Sequence, residues 1–290
     1  MTELPTEFIA AGIVSFPPVK PAIPERTTGQ RRRYRTIWIS DIHLGTKGCN
    51  AQMLIDFLDH TDSETTYLVG DIIDGWRLKK KFYWPAEHND IVWRILKRAK
   101  RGTRIVYIPG NHDEMIRPFS GMNFGGVEIM RAAFHTTADG RRLMVLHGDE
   151  FDTIMLAHRW LAFIGDAAYH AMMKLNGWVS AVRSRLGLPY WSISKAAKHK
   201  VKNAVEFISK YEEVVARAAA ERGVDGVVCG HIHTAEIRSF DGIEYYNDGD
   251  WVEGCNALVE HFDGRMELLH WPEEVARRNS VAAANGLEAA

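Results

Sequence analysis

Thr36-Ile37-Trp38-Ile39-Ser40-Asp41-Ile42-His43 is a short apolar run that stops on two potential metal ligands, and the same design recurs four more times. Tyr67-Leu68-Val69 leads into Gly70-Asp71-Ile72-Ile73-Asp74, and Ile105-Val106-Tyr107-Ile108 leads into Gly110-Asn111-His112-Asp113. Leu143-Met144-Val145-Leu146 leads into His147-Gly148-Asp149, and Gly226-Val227-Val228-Cys229 into Gly230-His231-Ile232-His233. Each run is β-branched or aromatic and too short for a helix, so it reads as a buried strand. Polar side chains delivered where neighbouring strands end can meet on one rim of a sheet, where open α/β sheets carry their ligand crevices. Glycine at 70, 110 and 230 lets the chain turn sharply there.

The donors are carboxylates, an amide and imidazoles, with no thiolate. That chemistry suits Mn²⁺, Zn²⁺, Fe or Co, and the set is too large for one tetrahedral ion. Two ions sharing a carboxylate accommodate it; such a pair acidifies a water and neutralises phosphoryl charge. Taken singly, each cluster fits a turn or a surface histidine equally well. Five at strand ends argue against that.

The ordered set D-x-H, GD-x-x-D, GNHD, H-G-D and G-H-x-H resembles the calcineurin-like metallophosphoesterase superfamily over residues 36 to 270. The resemblance implies Asp41, His43, Asp71 and His233 around one divalent ion and Asp71, Asn111, His147 and His231 around a second, with Asp71 bridging. Mn²⁺ is the first choice for both, with Zn²⁺ or Fe as alternatives. It also implies that His112 protonates the leaving group or donates to the phosphoryl oxygens, oriented by Asp113 or Asp74. His112 directly follows a ligand, and an imidazole suits proton transfer near neutrality.

Within the superfamily, the spacing around SDIHLG, the GDIIDGW segment and the long insert between HGDEFD and GHIH resemble the bacterial UDP-2,3-diacylglucosamine pyrophosphatase group. That group includes phospholipase C-type relatives that remove phospholipid head groups. The pyrophosphatases carry GNRD where this chain has His112, and a fixed cation and a titrating acid favour different leaving groups. Protein Ser/Thr phosphatases resemble GD-x-x-D-R-G followed by GNHE, but Gly75 and Asp113 stand at those places here. The expected function is hydrolysis of a phosphodiester or pyrophosphate bond in a membrane lipid or lipid precursor. The alternatives are a general phosphodiesterase or phosphatase for soluble nucleotides or phosphoproteins, and a non-catalytic scaffold, which the complete ligand set disfavours.

Among 290 residues, 36 Lys and Arg face 37 Asp and Glu, a balance that argues against a general nucleic-acid binder. Charge is concentrated locally, at Arg31, Arg32, Arg33 and Arg35 and at Lys79, Lys80 and Lys81. Such runs are commonly solvated faces; beside a phosphate site they also attract an anionic bilayer. Three cysteines without paired spacing fit a reducing compartment. The apolar stretch from Phe8 to Phe16 has no basic n-region, runs into prolines and is too short to span a bilayer. A cytosolic protein in peripheral contact with the inner membrane is expected.

Helical patterns at Ala51 to His60 and His88 to Arg101 alternate with strands, giving βαβ connections. After GHIH, apolar runs at 235–238, 243–246, 257–260 and 266–269 are separated by Asp241-Gly242 and Asp263-Gly264 turns. These predict a second sheet behind the first, hence a four-layer α/β/β/α sandwich, the architecture the resemblance also implies. Residues 1–34 are expected as a flexible arm, 35–272 as the domain and 273–290 as a flexible tail. A helical insertion is expected at about 151–211, rich in Trp, Met, Leu and then Lys and Arg. It reads either as a hairpin packed on the domain or as a cap with an acyl-chain groove, and it permits a homodimer.

Overall fold

Strands with both faces covered need apolar side chains at both parities, and that pattern organises the molecule. The computed structural model describes residues 31–152, 208 and 210–288. The expected insertion, apart from its ends, and residues 1–30 of the expected arm lie outside the described residues.

The first half runs β1 (Arg32–Ile39), α1 (Ala51–His60), β2 (Thr61–Val69), α2 (Gly75–Lys80), α3 (Ala86–Lys100) and β3 (Arg104–Ile108). The 3-10 turn Glu114–Phe119 then precedes β4 (Asn123–Phe124), β5 (Val127–Ile129), β6 (Ala133–Thr136) and β7 (Arg142–Val145). Beyond helix α4 (210–221) come β8 (Gly226–Cys229), β9 (Glu236–Phe240), β10 (Ile243–Asn247), β11 (Asn256–Glu260), β12 (Met266–His270) and α5 (Trp271–Glu288).

Seven strands make one sheet, in the order β12-β11-β1-β2-β3-β5-β4, and five make the other, β6-β7-β8-β10-β9. Its central pairs β1–β2, β2–β3, β7–β8 and β8–β10 are parallel. Three apolar clusters fill the three gaps between four layers. Ile37, Ile39, Leu68, Ile105 and Tyr107 meet Phe57, Ile91, Ile95 and Trp271 of the helices. On the opposite parity Trp38, Tyr67, Val69, Val106 and Ile108 meet Leu143, Val145 and Val228 of the second sheet. Met144, Leu146, Val227 and Cys229 then face Tyr211, Val215 and Ala219 of α4. This is the expected α/β/β/α sandwich.

The C-terminal strands divide differently from expectation. β9 and β10 join the second sheet, whereas β11 returns to the first sheet, antiparallel to β1, and carries β12 with it. Both Asp-Gly turns do close antiparallel pairs, but a hairpin turn specifies only its own two strands. The sheet that receives them is decided by burial: Ala257 and Val259 face the helices and Leu258 the other sheet.

Two boundaries also differ. β1 starts at Arg32, inside the segment assigned to the arm, and α5 runs through Glu288, where a flexible tail was expected. Trp271 anchors this helix: its ring meets Phe57 edge-on at 5.0 Å and its Nε1 donates to Asp56 at 2.8 Å. Arg32 pairs with Glu274 at 2.6 Å.

One buried carboxylate ties the two sheets together. Glu260 of β11 accepts from Arg35 Nη1 at 2.6 Å, Thr36 Oγ1 at 2.8 Å and the Ala138 amide at 2.7 Å, and His135 Nε2 stands 2.9 Å away. Cys49, Cys229 and Cys255 are free thiols. Among the described residues, no helix is long and apolar enough to cross a membrane.

Candidate metal centre

Beyond the strand ends the motif loops are stitched to one another by backbone hydrogen bonds. Asp41 N donates to Gly70 O at 3.0 Å, His43 N to Asp71 O at 2.9 Å and Gly75 N to His112 O at 2.9 Å. Five of the seven expected ligands sit in the left-handed region: Asp41 (φ 49°), His43 (53°), Asp71 (53°), His231 (71°) and His233 (52°). For residues with a Cβ this costs roughly 1–3 kcal/mol each, and such strain persists where function over-determines it. Close packing is equally specific. A Cβ on Gly110 would lie 2.3 Å from Asp71 Oδ1 and 2.6 Å from His147 Nε2.

Two carboxylates form the middle of the site. Asp41 Oδ2 accepts from the His231 amide at 2.9 Å, and its Oδ1 stands 3.1 Å from His233 Nε2 and 3.8 Å from His43 Nε2. Asp71 Oδ1 accepts from the His112 amide at 2.8 Å. Its Oδ2 is ringed by Nε2 of His147 at 3.5 Å, of His43 at 3.9 Å and of His112 at 4.0 Å. Asp41, His43 and His233 form one group of donors close enough to hold a single ion; Asp41, Asp71 and His147 form another, and His43, Asp71 and His112 a third.

The histidines are oriented from behind. His147 Nδ1 lies 2.8 Å from the Val69 carbonyl, which can only accept, so Nδ1 carries the proton and Nε2 is left for the site. His43 Nδ1 is likewise taken by Asp74 Oδ2 at 3.2 Å. His231 spends Nε2 on Asp152 Oδ1 at 2.9 Å, which leaves Nδ1 for an ion. Asp152 was not anticipated; it stands five positions beyond His147, and nothing in its local sequence distinguishes it.

The fit to divalent ions rests on atoms without partners. Asp41 Oδ1, His43 Nε2, Asn111 Oδ1 and His147 Nε2 are all buried and make no hydrogen bond. Each such orphan costs about 1–3 kcal/mol unless something binds it. The electrostatics agree. Burial pushes Asp41 upward, yet the adjacent His233 and His43 imidazoles hold it well below the usual carboxylate range. Burial disfavours charge on His147 as well, but Asp71 and Asp41 drive it up to about 10. The cluster draws positive charge to itself.

His112 faces the same space, its ring packed 4.2 Å from that of Trp76 with the planes tilted by 34°. Asp74, the N-cap of α2, places Oδ2 at 3.1 Å from His112 Nδ1, an ion-pair distance off the hydrogen-bonding direction. Of the two carboxylates expected to orient His112, Asp113 is turned elsewhere. It accepts from Tyr107 OH, Gly110 N at 2.5 Å, Ile72 N at 2.8 Å and Ile73 N at 3.3 Å, which uses its lone pairs to brace two motif loops. Burial raises its carboxyl. A further buried carboxyl, Asp248, accepts from Ser40 Oγ at 2.6 Å behind Asp41 and was likewise missed.

Curated relatives include the UDP-2,3-diacylglucosamine hydrolase of Azotobacter vinelandii, 24% identical over 74% of this chain and 90% of that protein. The enzyme of the same name from Nitrosococcus oceani is 27% identical over 77% of this chain and 90% of its own length. The structure of an archaeal phosphodiesterase aligns at 12% identity with a TM-score of 0.39, covering 81% of this chain and 98% of that one. The calcineurin-like phosphoesterase family model matches residues 34–235, from β1 to just past the last proposed ligand, His233. The chain belongs to that family and is a hydrolase of phosphoric ester or pyrophosphate bonds.

Proposed function

We propose that this hydrolase acts on a pyrophosphate or phosphodiester bond of a membrane lipid or lipid precursor, with two divalent ions, Mn²⁺ foremost and Zn²⁺ or Fe as alternatives, working at the cytoplasmic face of the inner membrane. The observation that carries the bond type is the set of orphaned buried donors around Asp41 and Asp71. Substrate class is supported by six relatives named UDP-2,3-diacylglucosamine hydrolase, each matched along 89–98% of its own length.

In this reading Asp41, His43 and His233 hold one ion and Asn111, His147 and Nδ1 of His231 the other, with Asp71 shared. When bound, the ions supply Lewis acidity at the phosphoryl oxygens and an acidified water. His112 gives its Nε2 proton to the leaving oxygen as the P–O bond breaks. Asp74, beside Nδ1 of both His112 and His43, leaves Nε2 of each ring facing the reaction space.

A second reading, phospholipase C-type release of a head group from a glycerophospholipid, is favoured by His112 itself. An alkoxide leaving group needs a proton, whereas a departing phosphate does not. Mass spectrometry of products from total bacterial lipids plus UDP-diacylglucosamine, with Mn²⁺ present, separates the two. UMP with a lipid monophosphate identifies pyrophosphate cleavage, and diacylglycerol identifies head-group release. Turnover of soluble nucleotide diesters alone would defeat both and leave a general phosphodiesterase.

A further inference from the structure

Next to the metal centre lies a surface that the hydrolytic chemistry leaves unused. α2 and the residues after it present Arg77, Lys79, Lys80 and Lys81, all exposed and without an ion-pair partner among the described residues. Six of the eleven exposed large apolar side chains among the described residues lie on two stretches, Trp76 and Phe82 on the first and Met115, Phe119, Met122 and Phe124 on the second. Phe82 is 78% exposed.

The two halves of this surface are joined. A Cβ on Gly75 would lie 2.5 Å from Met115 Sδ, Trp76 Nε1 donates to Glu114 at 3.4 Å, and Phe119 meets Phe124 edge-on at 6.0 Å. β4, which carries Phe124, is the outermost strand of its sheet. The region adjoins the reaction space, because the Trp76 ring packs against that of His112.

Which partner fits both components? A free acyl chain offers nothing to four exposed cations. A second copy docked about a two-fold axis would bring the same cations against one another, which is repulsive. A bilayer with anionic head groups meets the cations at its surface and takes aromatic and Met side chains into its interface.

We propose that α2, the Lys81-Phe82 segment and the Glu114–Phe124 edge form the face by which the protein docks on an anionic phospholipid bilayer, holding the metal centre against the leaflet. This extends the lipid reading without depending on it, since docking is measured without turnover. If docking fails, the hydrolytic assignment stands.

The test is co-sedimentation of the full-length protein with phosphatidylcholine vesicles and with phosphatidylcholine–phosphatidylglycerol vesicles in a roughly 7:3 ratio. The wild type binds the mixed vesicles far better, and added salt weakens the binding. Each Lys near an anionic leaflet is worth roughly a five-fold factor, so Lys79→Glu/Lys80→Glu/Lys81→Glu weakens binding by on the order of 100-fold. Phe82→Ser weakens it about ten-fold at high and low salt alike. Both variants keep the circular dichroism spectrum and the wild-type rate on a soluble bis-nitrophenyl phosphate. Wild-type indifference to phosphatidylglycerol, or triple-variant binding equal to wild type, overturns the proposal. So does concentration-dependent dimerisation that the Phe82→Ser change abolishes.

Discussion

At Asp71 the two oxygens have separate tasks: Oδ1 accepts the amide of the residue after Asn111, and Oδ2 stands within 4.0 Å of three imidazole nitrogens. Asp71→Ala therefore loses both ions by elemental analysis and slows turnover by at least about 1,000-fold. His112→Ala keeps both ions and slows turnover by roughly 10²–10⁴, with partial recovery on nitrophenyl esters, whose leaving group needs no proton. Loss of an ion from His112→Ala would contradict its role. The proposed ligands in the left-handed region allow a sharper comparison. At His233 (φ 52°), Gly relieves strain that Ala keeps. In chelator-treated protein, His233→Gly should outlast His233→Ala in urea by about 1 kcal/mol. The donor types were legible because each motif ends an apolar run. Which nitrogen of His231 faces the site was not, since Asp152 decides it from 79 positions away. Nor could sequence separate Asp74 from Asp113, adjacent as each is to a ligand motif.

Elements show the same division. All five strands leading into motifs were readable from their apolar runs, and α1 matched residue for residue. The first four residues of β2, Thr61-Asp62-Ser63-Glu64, were not readable, because their strand state comes from pairing with β1 and not from their own polarity. β4, at two residues, is too short to carry a pattern. Pairings between distant strands were equally hidden, and the Glu260 knot is the main one. Burial pushes the Glu260 carboxyl up, but hydrogen bonds from His135, the Ala138 amide and Thr36 outweigh it, so its pKa lies below the ordinary value. A depressed carboxylate contributes stability fully above its unfolded pKa, about 4.3, and loses that contribution as pH falls through the folded value. Glu260→Ala should cost about 3 kcal/mol at pH 7 in urea unfolding. That difference should shrink steadily below about pH 4. A gap unchanged at low pH would show that packing, not charge, makes the knot.

Across the whole molecule, the proposed ligands come from both sheets. Asp41, His43, Asp71 and Asn111 follow β1, β2 and β3 of the first, while His147, His231 and His233 follow β7 and β8 of the second. Ions held between them favour the folded state by mass action, about 2.7 kcal/mol per ion at a hundred times its Kd. Stripping the ions with a chelator should lower the melting temperature by roughly 5–10 °C, read by calorimetry, and Mn²⁺ should restore it. An unchanged melting point would place the ions outside the seam. The strained backbone at five of the proposed ligands adds to this. Without cations, those loops hold tension that nothing repays, and the rim is where the sandwich would begin to part. Scarcity of the divalent ion would then shorten the protein's survival in the cell as well as idle it, and degradation would clear the empty form first.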